Sequence, residues 1–321
     1  MNLLTPAEIA PVKKDLDATL DALNAMLLGR PELHRLVLAG ILARGHVLLE
    51  GLPGLGKTAL VKALSEILEL DFKRVQFTPD LMPSDILGAH VLETKDDGRR
   101  EMSFRPGPVF CNLLLADEIN RASPKTQSAM LETMQERAVT LLGVTRPLPD
   151  PFFVLASQNP IELEGTYPLP EAQTDRFLFK LHVDSPSAET LAAILTTRAQ
   201  GEMPKCPFTL KRENLLAAFA TTARVALPDA VANWIGRLVA ATHGADYVTY
   251  GASPRAAIAI AESARAVALM DGRPSVGFDD VRTVAPSALN HRLLLDYRAK
   301  LDGVTSFTVV ERLVASVPVA E

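Results

Sequence analysis

The chain has 321 residues, of which 48% are hydrophobic and 22% charged, so it can bury a core sized for two domains or for one large domain with a satellite. Its net charge of −5 argues against a protein that binds nucleic acid over its whole surface, although a local basic groove is compatible with this charge. Cys111 and Cys206 are too few for a disulfide framework and fit a reducing cytoplasm. The start of the chain has no basic and then apolar leader, and Arg44 and His46 break the most apolar stretch, residues 36–49. We therefore expect a cytoplasmic protein without a membrane span.

Residues 1–43 are predicted to be helical, with a break at residues 29–31. From residue 44, short apolar runs alternate with helical stretches, which favours a parallel sheet covered by helices on both faces. Past residue 187 the chain is rich in Ala and Leu with helical periodicity, and one predicted helix face carries Val231, Ile235, Leu238 and Thr242. We therefore predict an α/β domain followed by a smaller, all-helical domain. The predicted strands are Val47–Leu49, Val75–Phe77, Leu113–Ala116, Phe152–Ala156 and Phe177–Leu181.

A phosphate-binding loop follows the first predicted strand. Residues 51–58 match GxxxxGK[ST], in which glycines let consecutive backbone N–H groups close around phosphate oxygens. Lys57 is placed to neutralise the β- and γ-phosphates, Thr58 offers a hydroxyl to Mg²⁺, and the following helix points its positive end at the same anion. The alternative is a glycine-rich turn that carries Lys-Thr by chance, which the flanking strand and helix disfavour. The predicted nucleotide contacts are Gly51, Pro53, Gly54, Leu55, Gly56, Lys57, Thr58 and Ala59.

Two acidic residues, Asp117 and Glu118, end the predicted strand 113–116, sixty positions after Lys57. The carboxyl ends of parallel strands share one edge of the sheet, where ligands of such sheets bind. We predict that Asp117 holds Mg²⁺, directly or through its waters, and that Glu118 orients and deprotonates the attacking water. Solvated acids at the end of a strand are the alternative.

Asn159 follows the next predicted strand, beside the acidic pair, where it can sense the γ-phosphate or position water. A simple Asn-Pro turn is the alternative. Arg176 lies just before the last predicted strand. It is either an arginine finger that completes the phosphate site of a neighbouring subunit or a member of a surface ion pair, and spacing alone does not choose between them.

Residues 251–255 predict the start of a helix, with Ser253 as the N-cap and Pro254 as the first helical residue. Arg255 then falls in the first turn, where a cation opposes the helix dipole at a cost of a few tenths of a kcal/mol, roughly. A bound phosphate would reverse that cost. We therefore interpret Arg255 as a nucleotide contact carried by the helical domain, so that the position of this domain depends on ATP.

With these residues in place, the chain resembles the MoxR family of AAA+ ATPases from about residue 29 to residue 294. The phosphate loop alone is not specific, and the resemblance rests on six further segments taken together. They are Phe77–Asp85, Phe104–Pro108, Asp117–Ala122, Gln158–Pro160, Glu164–Gln173 and Gly251–Arg255.

The resemblance implies an AAA+ core over residues 1–190, with a parallel five-stranded sheet flanked by helices, and a helical lid over residues 191–321. It implies ATP and Mg²⁺ as cofactors, a ring of identical subunits, expected to be a hexamer, and a von Willebrand factor A domain protein as partner. Arg121 either faces a neighbouring subunit or makes an internal contact. The implied roles are Walker A at Gly51–Thr58, Walker B at Asp117 and Glu118, sensor 1 at Asn159, an arginine finger at Arg176 and sensor 2 at Arg255.

Two insertions fit the same family. Residues 88–104 contain the hairpin signal Asp97-Gly98, and residues 137–148 contain Gly143 between two apolar runs. Similar proteins carry hairpins at both places, facing a central pore or the substrate side of a ring. Two departures from the usual pattern are a charged first tip, residues 94–100, and Thr174 in place of an apolar residue.

We expect Mg²⁺-dependent ATP hydrolysis that remodels or activates partner protein complexes in a chaperone-like way, with no indication of the client. A nucleic-acid-stimulated AAA+ motor is one alternative. It is disfavoured because acids offset Arg99, Arg100 and Arg137 at the hairpins and no aromatic residue lines their tips. A magnesium-chelatase-like subunit, which shares the architecture and the partner type, is the other.

Overall fold

The computed structural model describes residues 3–96, 99–160, 167–197 and 204–319, and a five-stranded sheet lies at its centre. Its strands are β1 (Val47–Glu50), β2 (Phe72–Gln76), β5 (Leu113–Asp117), β8 (Phe153–Gln158) and β9 (Phe179–His182). They lie in the order β2-β5-β8-β1-β9, and all four neighbouring pairs are parallel. All five predicted strands are confirmed, with ends that differ by a few residues.

Helices cover both faces of this sheet. Two short helical turns of the 3₁₀ type, Ile119–Arg121 and Thr242–Gly244, supplement them. The α-helices are α1 (Pro6–Met26), α2 (Pro31–Leu42), α3 (Lys57–Ile67), α4 (Pro83–Leu87), α5 (Pro124–Glu136), α6 (Glu171–Thr174), α7 (Ala188–Thr197), α8 (Arg212–Arg224), α9 (Asp229–Ala241), α10 (Pro254–Met270), α11 (Phe278–Leu289), α12 (Tyr297–Leu301) and α13 (Ser306–Ser316).

The strands divide their side chains between two hydrophobic cores. In β1, Leu48 belongs to one core while Val47 and Leu49 belong to the other, because successive side chains of a strand point to opposite faces. The smaller core is closed by α4 and α5, with Ile86 and Met130 among its fully buried members. The larger core is closed by α1, α2 and α3 and continues into the C-terminal helices. The predicted covered parallel sheet is therefore confirmed.

The C-terminal helices form the lid and share the larger core with the first two helices of the chain. The predicted apolar face of α9 is confirmed, since Val231, Ile235, Leu238 and Thr242 are all buried. The short antiparallel pair β10 (Val248–Tyr250) and β11 (Leu294–Leu295) was not expected in this part of the chain. The predicted domain boundary at residue 190 falls within α7 and stays a prediction. No helix in the described ranges is long and apolar enough to cross a membrane.

Both insertions form antiparallel hairpins. The first consists of β3 (Gly88–Thr94) and β4 (Arg100–Pro106), and its predicted turn at residues 97 and 98 lies outside the described residues. The second consists of β6 (Ala138–Leu141) and β7 (Val144–Pro147), joined by two residues with positive φ, as a tight hairpin turn requires. Arg146 of β7 connects the two hairpins, since its guanidinium carbon lies 4.0 Å from the ring centroid of Phe104 in β4.

Candidate functional site

The phosphate loop joins β1 to α3 with the geometry that an anion requires. Gly54 and Gly56 have φ of +80° and +82°, a region that favours glycine, and Gly56 directly precedes the first turn of α3. A Cβ at Gly51 would come within 2.6 Å of the backbone oxygen of Val183, so the loop also packs too closely there for a side chain. The N-terminal N–H groups of α3 and the loop N–H groups therefore share one anion-binding concavity.

Lys57 begins α3, and its Nζ donates to the backbone oxygen of Gly51 at 2.5 Å. Burial lowers the pKa of Lys57, while the negative charges of Asp117, Glu118 and Glu50 act in the opposite direction. The lysine thus lies within electrostatic reach of both predicted catalytic acids. Thr58 and Ala59 follow it as half-buried residues in the first turn.

An apolar cavity of about 350 Å³ opens beside the phosphate loop. Arg30, at the start of α2, braces it by donating to the backbone oxygens of Leu55 and Asp184, both at 2.6 Å. This size and lining suit a purine base next to the phosphates. Its apolar wall comes from Leu27, Leu33, Val183, Leu191 and Ile194.

The acidic pair lies at the same edge of the sheet, at the end of β5. Asp117 is buried, and its carboxylate accepts from Ser157 Oγ at 2.5 Å and from Arg74 Nη2 at 2.7 Å. Glu118 has φ of +56°, which turns its side chain out of the line of the strand, and its backbone N–H donates to Ser157 Oγ at 2.9 Å. Ser157 in β8 therefore fixes both acids relative to one another.

The carboxylate of Glu118 has two further partners. Gln76 Nε2 in β2 donates to it at 3.1 Å, and Arg121 Nη1 donates to it at 2.9 Å. Arg121 thus makes the internal contact that the sequence left as one of two alternatives. Asn159 lies one residue past β8, two residues after Ser157, so the sheet brings it to the edge that carries the acids. It is half-buried, and its backbone oxygen accepts from Asn120 Nδ2 at 3.4 Å.

Arg176 and Arg255 lie at the opposite edge of the sheet. Arg176 precedes β9, whose residues pair in parallel with β1 from Val47 to Glu50, whereas the phosphate loop follows β1. The paired stretch spans about 10 Å and separates the two edges. Arg255 ion-pairs with Asp175 at 3.4 Å, which places it beside Arg176 rather than at the phosphate loop of its own chain.

The surface at the amino ends of β1 and β9, which we call the arginine edge, borders a cavity of about 280 Å³. Five arginines but only two carboxylates, Asp175 and Glu262, line it, so the edge is strongly cationic. Arg176 donates through Nη1 to the backbone oxygen of Leu131 at 3.2 Å, and its Nε is buried without a hydrogen-bond partner among the described residues. The five are Arg44, Arg137, Arg176, Arg255 and Arg292.

Several site residues had no recognisable sequence signal. Glu50, the last residue of β1, accepts from Gln158 Nε2 at 2.5 Å and from Lys180 Nζ at 2.8 Å. These contacts link β1, β8 and β9 at the point where the phosphate loop begins. No sequence motif marks Arg74, Arg30 or Arg292 either, because each contacts a partner that is distant in sequence. The register of β2 against β5 would have revealed Arg74, since Gln76 pairs with Asp117.

Comparison with known proteins agrees with this geometry. The sequence profile of the "ATPase family associated with various cellular activities (AAA)" matches residues 46–179, and that of the AAA lid domain matches residues 237–313. A crystal structure from Cytophaga hutchinsonii, described as a candidate ATPase, matches with a TM-score of 0.89 and 37% identity over 98% of both chains. A phosphate-loop sheet, a pair of acids and a helical lid define an AAA+ ATPase.

Curated relatives narrow this class. The chain is 42% identical to the uncharacterized protein YeaC of Bacillus subtilis over 305 residues, which is 95% of this chain and 94% of YeaC. It is 42% identical to Chaperone MoxR1 of Mycobacterium tuberculosis over 311 residues, 94% of this chain and 81% of MoxR1. It is 32% identical to Protein MoxR of Paracoccus denitrificans over 332 residues, 93% of this chain and 94% of that protein. The chain belongs to the MoxR family of AAA+ ATPases, a class that binds nucleotide, has ATP hydrolysis as its general activity and generally oligomerises.

Proposed function

We propose that the protein is a cytoplasmic, Mg²⁺-dependent ATPase that works as a hexameric ring and uses hydrolysis to remodel or activate partner protein complexes. The single observation that carries this proposal is the separation of the phosphate loop from Arg176 and Arg255 by the length of the sheet. One chain cannot complete its own catalytic site, whereas a ring places the arginine edge of one subunit against the phosphate loop of the next.

The residues at the phosphate edge fit a magnesium nucleotide. Two glycines with left-handed φ, the N-terminus of α3 and Lys57 form an anion cradle, and the buried carboxylate of Asp117 is a hard oxygen donor suited to Mg²⁺. Thr58 and Asp117 would hold the ion, which when bound neutralises charge on the phosphates. Since Arg74 already pairs with Asp117, metal binding competes with this ion pair.

Glu118 is the proposed general base. Its carboxylate lies at the cradle edge, and its partners Gln76 and Arg121 hold it at a fixed place beside Ser157. In this role it orients a water and accepts its proton, while Asn159 at the end of β8 positions the same water. The neighbour's Arg176 and Arg255 then stabilise the negative charge that develops on the transferred phosphoryl group.

A protein client is favoured over nucleic acid by the second hairpin. Its turn residue Leu142 is 80% exposed and the adjoining Val144 is 49% exposed, and the first hairpin exposes Leu92 and Met102. Exposed apolar side chains on projecting hairpins suit contact with polypeptide, whereas nucleic acid needs cationic or stacking side chains there. The von Willebrand factor A domain partner rests on the resemblance to MoxR proteins alone.

Mixed rings test the proposal. Subunits with Lys57→Ala cannot bind ATP but keep their arginines, and subunits with Arg176→Ala bind ATP but lack the finger. Each preparation alone should be nearly inactive. Mixing them should restore part of the ATPase activity, because some hybrid interfaces combine the intact phosphate loop of an Arg176→Ala subunit with the intact arginines of a Lys57→Ala subunit. Absence of recovery in rings shown to be mixed, by co-purification of two differently tagged subunit types, would contradict the shared site.

A further inference from the structure

Arg292, just past the end of α11, is a buried arginine whose hydrogen bonds converge on one short segment. Its side chain is 3% exposed. Nε donates to Asp175 Oδ1 at 2.7 Å, Nη2 donates to the backbone oxygens of Asp175 and Phe177 at 3.0 and 2.7 Å, and Nη1 donates to that of Leu178 at 3.2 Å. A further bond from Nη1 reaches the backbone oxygen of Ala288 in α11. The segment held in this way, residues 175–178, contains Arg176.

The two residues before Arg292 hold the same stretch of chain. His291 Nε2 bonds to the backbone oxygen of Phe177 at 3.0 Å, and Asn290 Nδ2 donates to that of Lys180 at 3.0 Å. The end of the lid helix α11 is thus fastened to the segment that enters β9. A displacement of α11 relative to the sheet therefore acts first on this segment.

Asp175 extends the arrangement to the second arginine of the edge. Besides Arg292, its carboxylate accepts from Ser253 Oγ at 3.0 Å and from Arg255 Nη1 at 3.4 Å. Arg292 is buried, whereas Arg255 is half exposed. One carboxylate therefore links a buried arginine of the lid to an exposed one that lies beside Arg176.

We propose that Arg292 is a positioning residue for catalysis at the neighbouring subunit. It fixes residues 175–178 and the carboxylate of Asp175, so that Arg176 and Arg255 are presented together, and it makes this presentation depend on the position of the lid. The inference rests on the proposed shared site. Arginine suits the role because its planar guanidinium has five N–H donors in a fixed fork, whereas a lysine ammonium cannot reach these acceptors together.

The mixed rings described above provide the test, since Arg292→Gln can be placed in either subunit type. In the Lys57→Ala subunit, which supplies the arginines, the substitution should lower the recovered ATPase activity at least about tenfold. This is the effect expected from the loss of one hydrogen bond made by a charged group. In the Arg176→Ala subunit, which supplies the phosphate loop, the recovered activity should stay within about twofold, because that edge no longer contributes a finger. The KM for ATP should not change in either mixture.

Arg273→Gln in the arginine-supplying subunit is the matched control. Arg273 is also a lid arginine paired with a buried carboxylate, Asp280, but it has no contact with residues 175–178 among its described partners. The control should keep the recovered activity. If Arg292→Gln does not fold, Arg292→Lys in the same place should give an intermediate loss.

The outcomes separate the two proposals. If the parent mixture recovers ATPase activity, three results overturn the positioning role and leave the shared site unaffected. Arg292→Gln lowers the recovered activity equally in both subunit types, Arg273→Gln lowers it as much as Arg292→Gln does, or Arg292→Gln does not lower it at all. No recovery in the parent mixture overturns the shared site, and the role of Arg292 falls with it.

Discussion

The phosphate edge and the arginine edge of the sheet are built in opposite ways. The phosphate edge takes most of its groups from eight consecutive residues and from the ends of two neighbouring strands, and it is complete within one chain. The arginine edge draws its groups from five separate segments between residues 43 and 292. The proposed nucleotide site is therefore formed by a short stretch of sequence, whereas the position of the arginines proposed to complete catalysis depends on how the lid packs on the core.

The largest expected effect is at the phosphate edge. Lys57→Ala removes the one ammonium of the cradle and should lower ATP affinity at least about 100-fold, to below detection by calorimetry. Lys62→Ala, an exposed lysine on the same helix, is the control and should bind normally. Unchanged affinity of Lys57→Ala would contradict the assignment of this edge.

Glu118→Gln should separate binding from turnover at the same edge. The amide keeps the size of the side chain but cannot accept the proton of water, so phosphate release should fall about 100- to 10,000-fold while ATP affinity is kept. Glu132→Gln on the exposed side of α5 serves as the control. Normal phosphate release by Glu118→Gln would leave the reaction without its proposed base.

Arg255→Ala should lower turnover through the arginine edge and leave ATP binding at the phosphate edge unchanged. Loss of a charged hydrogen bond to phosphate corresponds to a decrease in kcat of about 10- to 100-fold, with no change in the affinity of isolated subunits for ATP. Arg312→Ala in α13, an exposed arginine of the lid, is the comparison. Weaker ATP binding by isolated Arg255→Ala subunits would show that the two edges are not independent.

The last prediction concerns stability rather than activity, and it places a pH dependence at the arginine edge. His46 is buried there, with Nδ1 accepting from the N–H of Val154 and Nε2 bonded to the oxygen of Met134, both at 3.0 Å, and burial lowers its pKa from 6.5 to about 4. Between pH 6.5 and pH 4 the unfolded chain takes up a proton that the folded chain excludes. The free energy of unfolding should therefore decrease as the pH falls through this window, by about 1.4 kcal/mol per pH unit for this one group.

Urea unfolding of the wild type and His46→Asn between pH 7 and pH 4 measures this contribution. The buried His34 and His291, whose pKa values are also lowered, titrate in both proteins, so the difference in slope isolates His46. Identical slopes would mean that the folded and unfolded chains bind the His46 proton equally, so that burial does not lower its pKa.

The difference between the phosphate edge and the arginine edge also explains which features could be predicted from the sequence. The strand, loop and helix around Lys57 follow from local spacing, and the five strands follow from apolar runs, so the fold and the phosphate edge were predictable. The position of Arg255 beside Asp175 was not, because it depends on the packing of α10 and α11 against the sheet. Likewise, nothing near Arg292 in sequence indicates that its partners lie about 115 residues earlier.

The stacking of Arg146 on Phe104 has a mechanical consequence. The first hairpin lies between α4 and β5, and the second lies between α5 and β8, so the two precede adjacent strands of the sheet. Arg137, directly before β6, also lines the cavity at the arginine edge. Because this contact joins β4 to β7, a displacement of one hairpin would be transmitted to the other. Under the proposed function, a client in contact with both hairpins would therefore be displaced by the two together.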